Sequence, residues 1–119
     1  MKVLESAENY LETIYILKRE LGEIRAIDIA SRLGYSKPSI SAALKILREN
    51  GYITLNKSKY IALTKEGMKI AMKINERHFI LADFFRSIGV SEQTALEDAC
   101  KIEHYISDET FDKIRAIPK

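Results

Sequence analysis

Apolar residues in the first part of the chain recur at helical spacing. Tyr10, Leu11, Ile14, Tyr15 and Leu17 form one stripe over Ser6 to about Glu20, with Ser6 placed to cap the helix and Gly22 to end it. The segment IRAIDIASRLG repeats the pattern over a shorter span, with Ile27, Ala30 and Leu33 expected to face inward and Gly34 to stop it. YSKPSISAALKILRENG predicts a third helix: Ser36 is its cap, and Pro38 falls in the first turn, where a missing N–H does no harm. Ile40, Ala43, Leu44 and Leu47 make its buried stripe and Gly51 closes it. Two short helices joined through Gly34-Tyr35-Ser36 have the spacing of a helix-turn-helix.

The period changes at YITLNKSKYIALT. Tyr52–Leu55 and Tyr60–Leu63 favour strand, and the polar Asn56-Lys57-Ser58-Lys59 between them makes a hairpin turn. A hairpin directly after a recognition helix is a wing. Thr64 then caps a long helix ending near Gly89, and Ser91 and Ser107 are placed as caps for helices over Glu92–Tyr105 and Asp108–Ile117. The expected fold is mainly α with a small β-hairpin: a winged helix-turn-helix over residues 1–72, then an α-helical domain over residues 73–119. The boundary falls within the helix that contains His78.

Composition narrows the classes. With 119 residues, 46% hydrophobic and 30% charged, the chain can bury a core without disulfides. The net charge is only +2, so any nucleic-acid binding must rest on a local patch. A single cysteine excludes an internal disulfide and fits a reducing compartment. The chain has no apolar run long enough for a membrane span, and its first residues lack the apolar stretch of a signal peptide, so a cytoplasmic protein is expected.

The second helix of a helix-turn-helix lies in the major groove with its first residues toward the base edges. Here those residues are Ser36, Lys37, Pro38 and Ser39, with Ser41, Ala42 and Lys45 on the outer face. Small side chains permit close approach, while Lys37 and Lys45 can meet phosphates, and Arg25, Lys57 and Lys59 extend the basic surface. The bland alternative is a winged scaffold for protein contacts whose lysines form a solvated face. The shortage of acids from Ser36 to Lys45 favours DNA.

The stretch CKIEHYISDE poses a second question, because it sets the only cysteine beside a carboxylate and one of two histidines. On a helix Cys100, Glu103 and His104 project from one face, as Asn9 and Glu12 do on the first helix. Singly, each has an ordinary explanation. His78 lies on an apolar stripe and suits a satisfied core histidine; Glu12 suits an exposed carboxylate; a lone cysteine is often a small buried hydrophobe. Glu103 and His104 near a helix end suit solvated positions, His104 favoured there by the helix dipole. Their coincidence in one chain is what favours metal ligation.

The segments AENYLETIYIL, LTKEGMKIA, ERH and ACKIEHYISDE occur in this order around the helix-turn-helix and wing. In that order the whole chain resembles the iron- and manganese-dependent repressors of the diphtheria toxin repressor (DtxR/MntR) family. The resemblance implies a transcriptional repressor, not an enzyme, that senses iron(II) or manganese(II), controls metal-homeostasis genes and binds a palindromic DNA operator as a homodimer. It implies metal ligands at Asn9, Glu12, His78, Cys100, Glu103 and His104. The sequence departs from the family pattern in two ways. Cys100 is an iron-type ligand, but Asn9 stands where iron-type members carry Met and manganese-type members Asp; Ala82 and Leu96 leave the ancillary iron-type site incomplete. The thiolate points to iron(II) over manganese(II), with cobalt(II), nickel(II) and zinc(II) as substitutes in vitro. Larger family members add an SH3-like domain that 119 residues do not accommodate. Two rival readings are a winged-helix regulator sensing a small organic ligand or a redox signal through Cys100, and a metalloenzyme, which lacks an accompanying nucleophile–base pair or phosphate loop.

Overall fold

The computed structural model describes residues 5–118. It is mainly helical with one small sheet, as the hydrophobic pattern predicts. The elements are α1 (Glu5–Leu21), α2 (Ala26–Leu33), α3 (Lys37–Glu49), β1 (Ile53–Leu55), β2 (Ile61–Leu63), α4 (Lys65–Ser87), α5 (Glu92–Ile102) and α6 (Asp108–Arg115). The chain divides into two compact units, Met1–Met72 and Lys73–Lys119, with the break inside α4. No helix among the described residues is long and apolar enough to cross a membrane.

In the first unit α1, α2, α3 and the hairpin close around Leu11, Ile14, Ile24, Ile29, Ile40, Ile53 and Ile61, all essentially inaccessible to solvent. Each such side chain contributes roughly 1.5–3 kcal/mol relative to exposure. The helix-turn-helix has the predicted punctuation. Gly34 sits in the left-handed region, φ 72°, where its N–H caps the Ala30 carbonyl at 2.8 Å. The Ser36 hydroxyl accepts from the Ser39 amide at 3.3 Å, and Pro38 lies in the first turn of α3. One assignment fails: Ile27 is 59% exposed, and Ile29 and Ile24 are buried instead. The face of α2 that docks on the core carries Ile29, while Ile24 packs from the residues before the helix. Ser6 lies within α1 and not at its cap position.

The two strands pair antiparallel, Ile53 opposite Leu63 and Leu55 opposite Ile61. The turn between them is shaped by one side chain: Asn56 Oδ1 accepts from the Ser58 amide at 2.9 Å and the Tyr60 amide at 3.0 Å. Such Asn-to-backbone bonding mimics a turn and lets Lys59 adopt φ 65°. At the base of the hairpin, the Ile61 amide donates to the Ile24 carbonyl at 2.9 Å and Lys18 Nζ to the Ile61 carbonyl at 3.2 Å.

The entry into α4 is tightly built. Thr64 donates its hydroxyl to the Gly51 carbonyl at 2.6 Å and accepts from the Gly67 amide at 3.1 Å, while its own amide donates to the Tyr52 carbonyl at 3.0 Å. Gly67 lies against that same Tyr52 carbonyl so closely that a Cβ would overlap it.

The second unit packs Leu81, Ala82, Ala99 and Phe111 together, with Phe85, Leu96 and Ile102 against them. Arg77 is only 6% exposed. Its guanidinium donates to the Ile106 carbonyl at 3.0 Å and to the Asp108 carboxylate, and lies 5.0 Å from the Phe111 ring centre. Ser107 caps α6 by accepting from the Thr110 amide at 3.1 Å. Ser91 precedes α5 without a side-chain cap bond. The last two helices end sooner than predicted, at Ile102 and Arg115.

Lys73 and then Arg77 hold the Asp108 carboxyl below its ordinary value of 3.8. A carboxylate depressed in the folded state stabilises it above the unfolded pKa, and that contribution is lost as pH falls through the folded value. The expected result is a component of acid destabilisation below pH 3.8 that Asp108→Asn lacks. Thermal midpoints followed by circular dichroism from neutral to acid pH check it. Parallel curves for the two proteins would contradict it.

Candidate functional site

A cleft of about 640 Å³ opens between α3 and the hairpin in the first unit. Six cations line it, Arg25, Lys37, Lys45, Arg48, Lys57 and Lys59, and none of its lining residues is acidic. With a whole-chain charge of only +2, this is the local concentration of positive charge that a polyanion requires. Ser36, Lys37, Pro38, Ser39, Ser41 and Lys45 are all exposed at the start or on the outer face of α3. The Ser36 hydroxyl is engaged within the turn, where it donates to Ser39 Oγ at 3.0 Å. Arg48 and Asn56 also line the cleft and were not anticipated. The signal for Arg48 was available, since it follows Lys45 by three residues on the same helix face.

The proposed ligands fall in both units. On α1, Glu12 is 7% exposed and Asn9 is half-buried. The backbone carbonyl of Asn9 accepts from the Thr13 hydroxyl at 2.8 Å. In the second unit the central residue is Glu103. It is fully inaccessible to solvent, at the C-cap of α5 with φ −58° and ψ −26°, so the helical direction persists for one more residue. The Tyr105 amide bonds the Ile102 carbonyl at 3.0 Å, tightening the turn that carries His104. Glu103 Oε2 lies 3.0 Å from His78 Nδ1 on α4. Glu103 Oε1 lies 3.4 Å from His104 Nε2, too poorly disposed for a hydrogen bond, and has no hydrogen-bond partner.

That oxygen bears directly on the choice between ordinary and ligand roles. Leaving a buried acceptor unmade costs roughly 1–3 kcal/mol, more for a charged group. The side chain of His104 is only 3% exposed, so neither residue is the solvated helix-end group that the sequence alone allows. A buried carboxyl with one oxygen engaged by His78 and the other, without a hydrogen-bond partner, near His104 is a donor set suited to a divalent transition metal. Cys100 is exposed on the last full turn of α5. Ala82 is fully buried and Leu96 half-buried, and neither offers a ligand atom; Glu97 and Asp98 are exposed, and Glu97 accepts from Gln93 at 3.1 Å.

Residues 2–61 match the family model described as the iron dependent repressor, N-terminal DNA binding domain, and residues 64–118 match that described as its metal binding and dimerisation domain. The chain belongs to the iron-dependent repressor (DtxR/MntR) family. It is 41% identical over 111 residues to the transcriptional regulator MntR of Escherichia coli O6:H1, covering 93% of this chain and 72% of that one. It is 38% identical over 109 residues to the HTH-type transcriptional regulator MntR of Geobacillus kaustophilus, covering 92% and 77%. Among solved structures, the manganese regulator SloR superposes with a TM-score of 0.77 at 28% identity, over 100% of this chain and 56% of that one. The chain therefore spans little more than half the length of SloR. Both halves of the iron-dependent repressor pattern are present, a DNA-binding domain and a metal-binding and dimerisation domain.

Proposed function

We propose that this family member is a metal-gated repressor: a homodimer that binds a palindromic operator when manganese(II) or iron(II) is present and so controls metal-homeostasis genes. The observation that carries the metal half is the buried Glu103 carboxylate, with its unpaired oxygen and its two histidine neighbours. Glu103, His78 and His104 hold the ion, Asn9 and Glu12 contribute oxygen donors from α1, and Cys100 contributes sulfur. Once bound, a divalent ion supplies the positive charge that such buried oxygens require. The structurally similar SloR is a manganese regulator, which supports manganese(II), while the Cys100 thiolate supports iron(II). Cobalt(II), nickel(II) and zinc(II) substitute in vitro. Gating requires that the ion bind one of two conformations more tightly than the other, the condition for allostery.

The basic cleft supports the DNA half. Ser39, Ser41 and Pro38 meet base edges, with Ser36 at the same helix start, while Lys37, Lys45, Lys57 and Lys59 neutralise phosphates. Arg25 belongs to this surface as well. Replacing any one of the four lysines by a neutral residue should lower the slope of log K against log salt by about one. Titration of a labelled duplex over a salt series measures that slope, and an unchanged value would remove the lysine from the phosphate-binding set.

Anaerobic mobility shift with manganese(II), iron(II) or chelator tests the proposal. Retarded duplex is expected with either metal and not with chelator; equal retardation in all three overturns metal gating. The exposed Cys100 thiol supports a second reading, a redox-sensing winged-helix regulator. Binding that survives chelator and disappears on thiol oxidation would select it.

A further inference from the structure

We infer that Arg25 is a positioning residue for the wing. It ties the tip of the hairpin to the start of α2 and so sets the direction in which Lys57 and Lys59 are presented. This rests on the DNA-binding reading, but its first consequence appears in the free protein.

The hairpin needs such a tie. Each strand has three residues, and an isolated two-stranded hairpin is at best marginally stable in water. Its base is held where the Ile61 amide donates to the Ile24 carbonyl. The next residue along reaches the tip: Arg25 Nε donates to the Ser58 carbonyl at 3.0 Å, and the guanidinium lies over the Tyr60 ring, 4.4 Å from its centre. Arg25 is itself fixed from below, because its amide donates to Asp28 Oδ2 at 2.8 Å in the first turn of α2. Ile24 and Arg25 thus act as a third edge against the hairpin, one through its backbone and the other through its side chain. Ser58 lies between the two wing lysines in sequence, so the tether grips the turn that carries them.

A lysine cannot replace this arrangement. Its ammonium is a point charge with no Nε–H on a planar fork and no flat face for Tyr60. A phosphate contact, in contrast, would tolerate Lys well. The two roles therefore separate in Arg25→Lys.

The experiment compares wild type, Arg25→Lys and Tyr60→Leu as the full chain. Amide exchange is measured by NMR in the free protein, and affinity for a random-sequence duplex across a salt series in the presence of manganese(II). In both variants exchange at Ser58, Lys59 and Tyr60 should quicken about tenfold, with the interior amides of α3 unchanged. Duplex affinity should fall several-fold at an unchanged salt slope, since neither variant removes a positive charge. Wild-type exchange at the wing in Arg25→Lys overturns the inference, whether or not duplex is bound. Faster wing exchange with undiminished duplex affinity also overturns it. If wild-type protein fails to bind duplex at all, the DNA-binding reading fails, and the presentation of the lysines fails with it.

Discussion

Glu103→Gln should abolish the response to manganese(II) and iron(II) while leaving a folded chain. The substitution keeps the shape of the side chain and removes its charge, and with it the anionic oxygen that has no hydrogen-bond partner. Metal affinity should fall by more than the roughly 10–100-fold typical of changes outside the ligand shell. Ligand present at about 100 times its dissociation constant stabilises the protein that binds it by about 2.7 kcal/mol. Wild type should therefore gain on the order of 10 °C in thermal midpoint on saturation with manganese(II), and the variant should gain almost nothing. Without metal, the variant should stay close to wild type in stability, because a neutral amide is cheaper to bury than a carboxylate even though one of its polar atoms still lacks a partner. Calorimetric titration and thermal scans with and without chelator provide the measurement. Ordinary metal binding by the variant would remove Glu103 from the ligand set.

The second large effect is structural and lies in the winged unit. Gly67→Ala places a methyl group on the Tyr52 carbonyl oxygen, which is backbone and cannot rotate away. That carbonyl also accepts the Thr64 amide, so the clash strikes the junction that fixes the start of α4 against β1. Overpacking of this kind costs about 3 kcal/mol. Ala is otherwise the better helix former by nearly 1 kcal/mol, so an open helix position would show the opposite sign. A fall of more than 10 °C in thermal midpoint is expected, on the order of 4–8 °C per kcal/mol for a small domain. Met68→Ala, at the half-exposed neighbouring position, should change it little. A neutral or stabilising Gly67→Ala would show that the helix start shifts freely.

Punctuation was the most legible part of the sequence. Gly34, Ser36, Pro38 and Gly51 fix the helix-turn-helix because each acts locally, by its backbone geometry or by a bond within one turn, which needs no knowledge of distant contacts. The hairpin was legible for the same reason, with Asn56 shaping its turn. Phase was less secure. Ile27 and Ile29 both suit an apolar stripe, and only the docking of α2 against the core decides which one faces inward. The end of α5 was placed too late because Tyr105 and Ile106 continue an apolar pattern, whereas the backbone tightens into a turn after Ile102. Candidate ligands could be proposed from spacing and family pattern, yet the burial of Glu103 and its oxygen without a hydrogen-bond partner are properties of packing. Gly67 and the Arg25 tether were invisible for a related reason, since both depend on a partner far along the chain.

The two units differ in what lies at their centres. Among the described residues, the first gathers twelve buried apolar side chains, while the cluster in the second has four and shares its interior with the Arg77 guanidinium and the Glu103 carboxylate. Little oil and much fixed charge make for a thin reserve against local melting. An ion that neutralises part of that charge would act there as a late-arriving piece of the core, so sensing and consolidation would become one thermodynamic event.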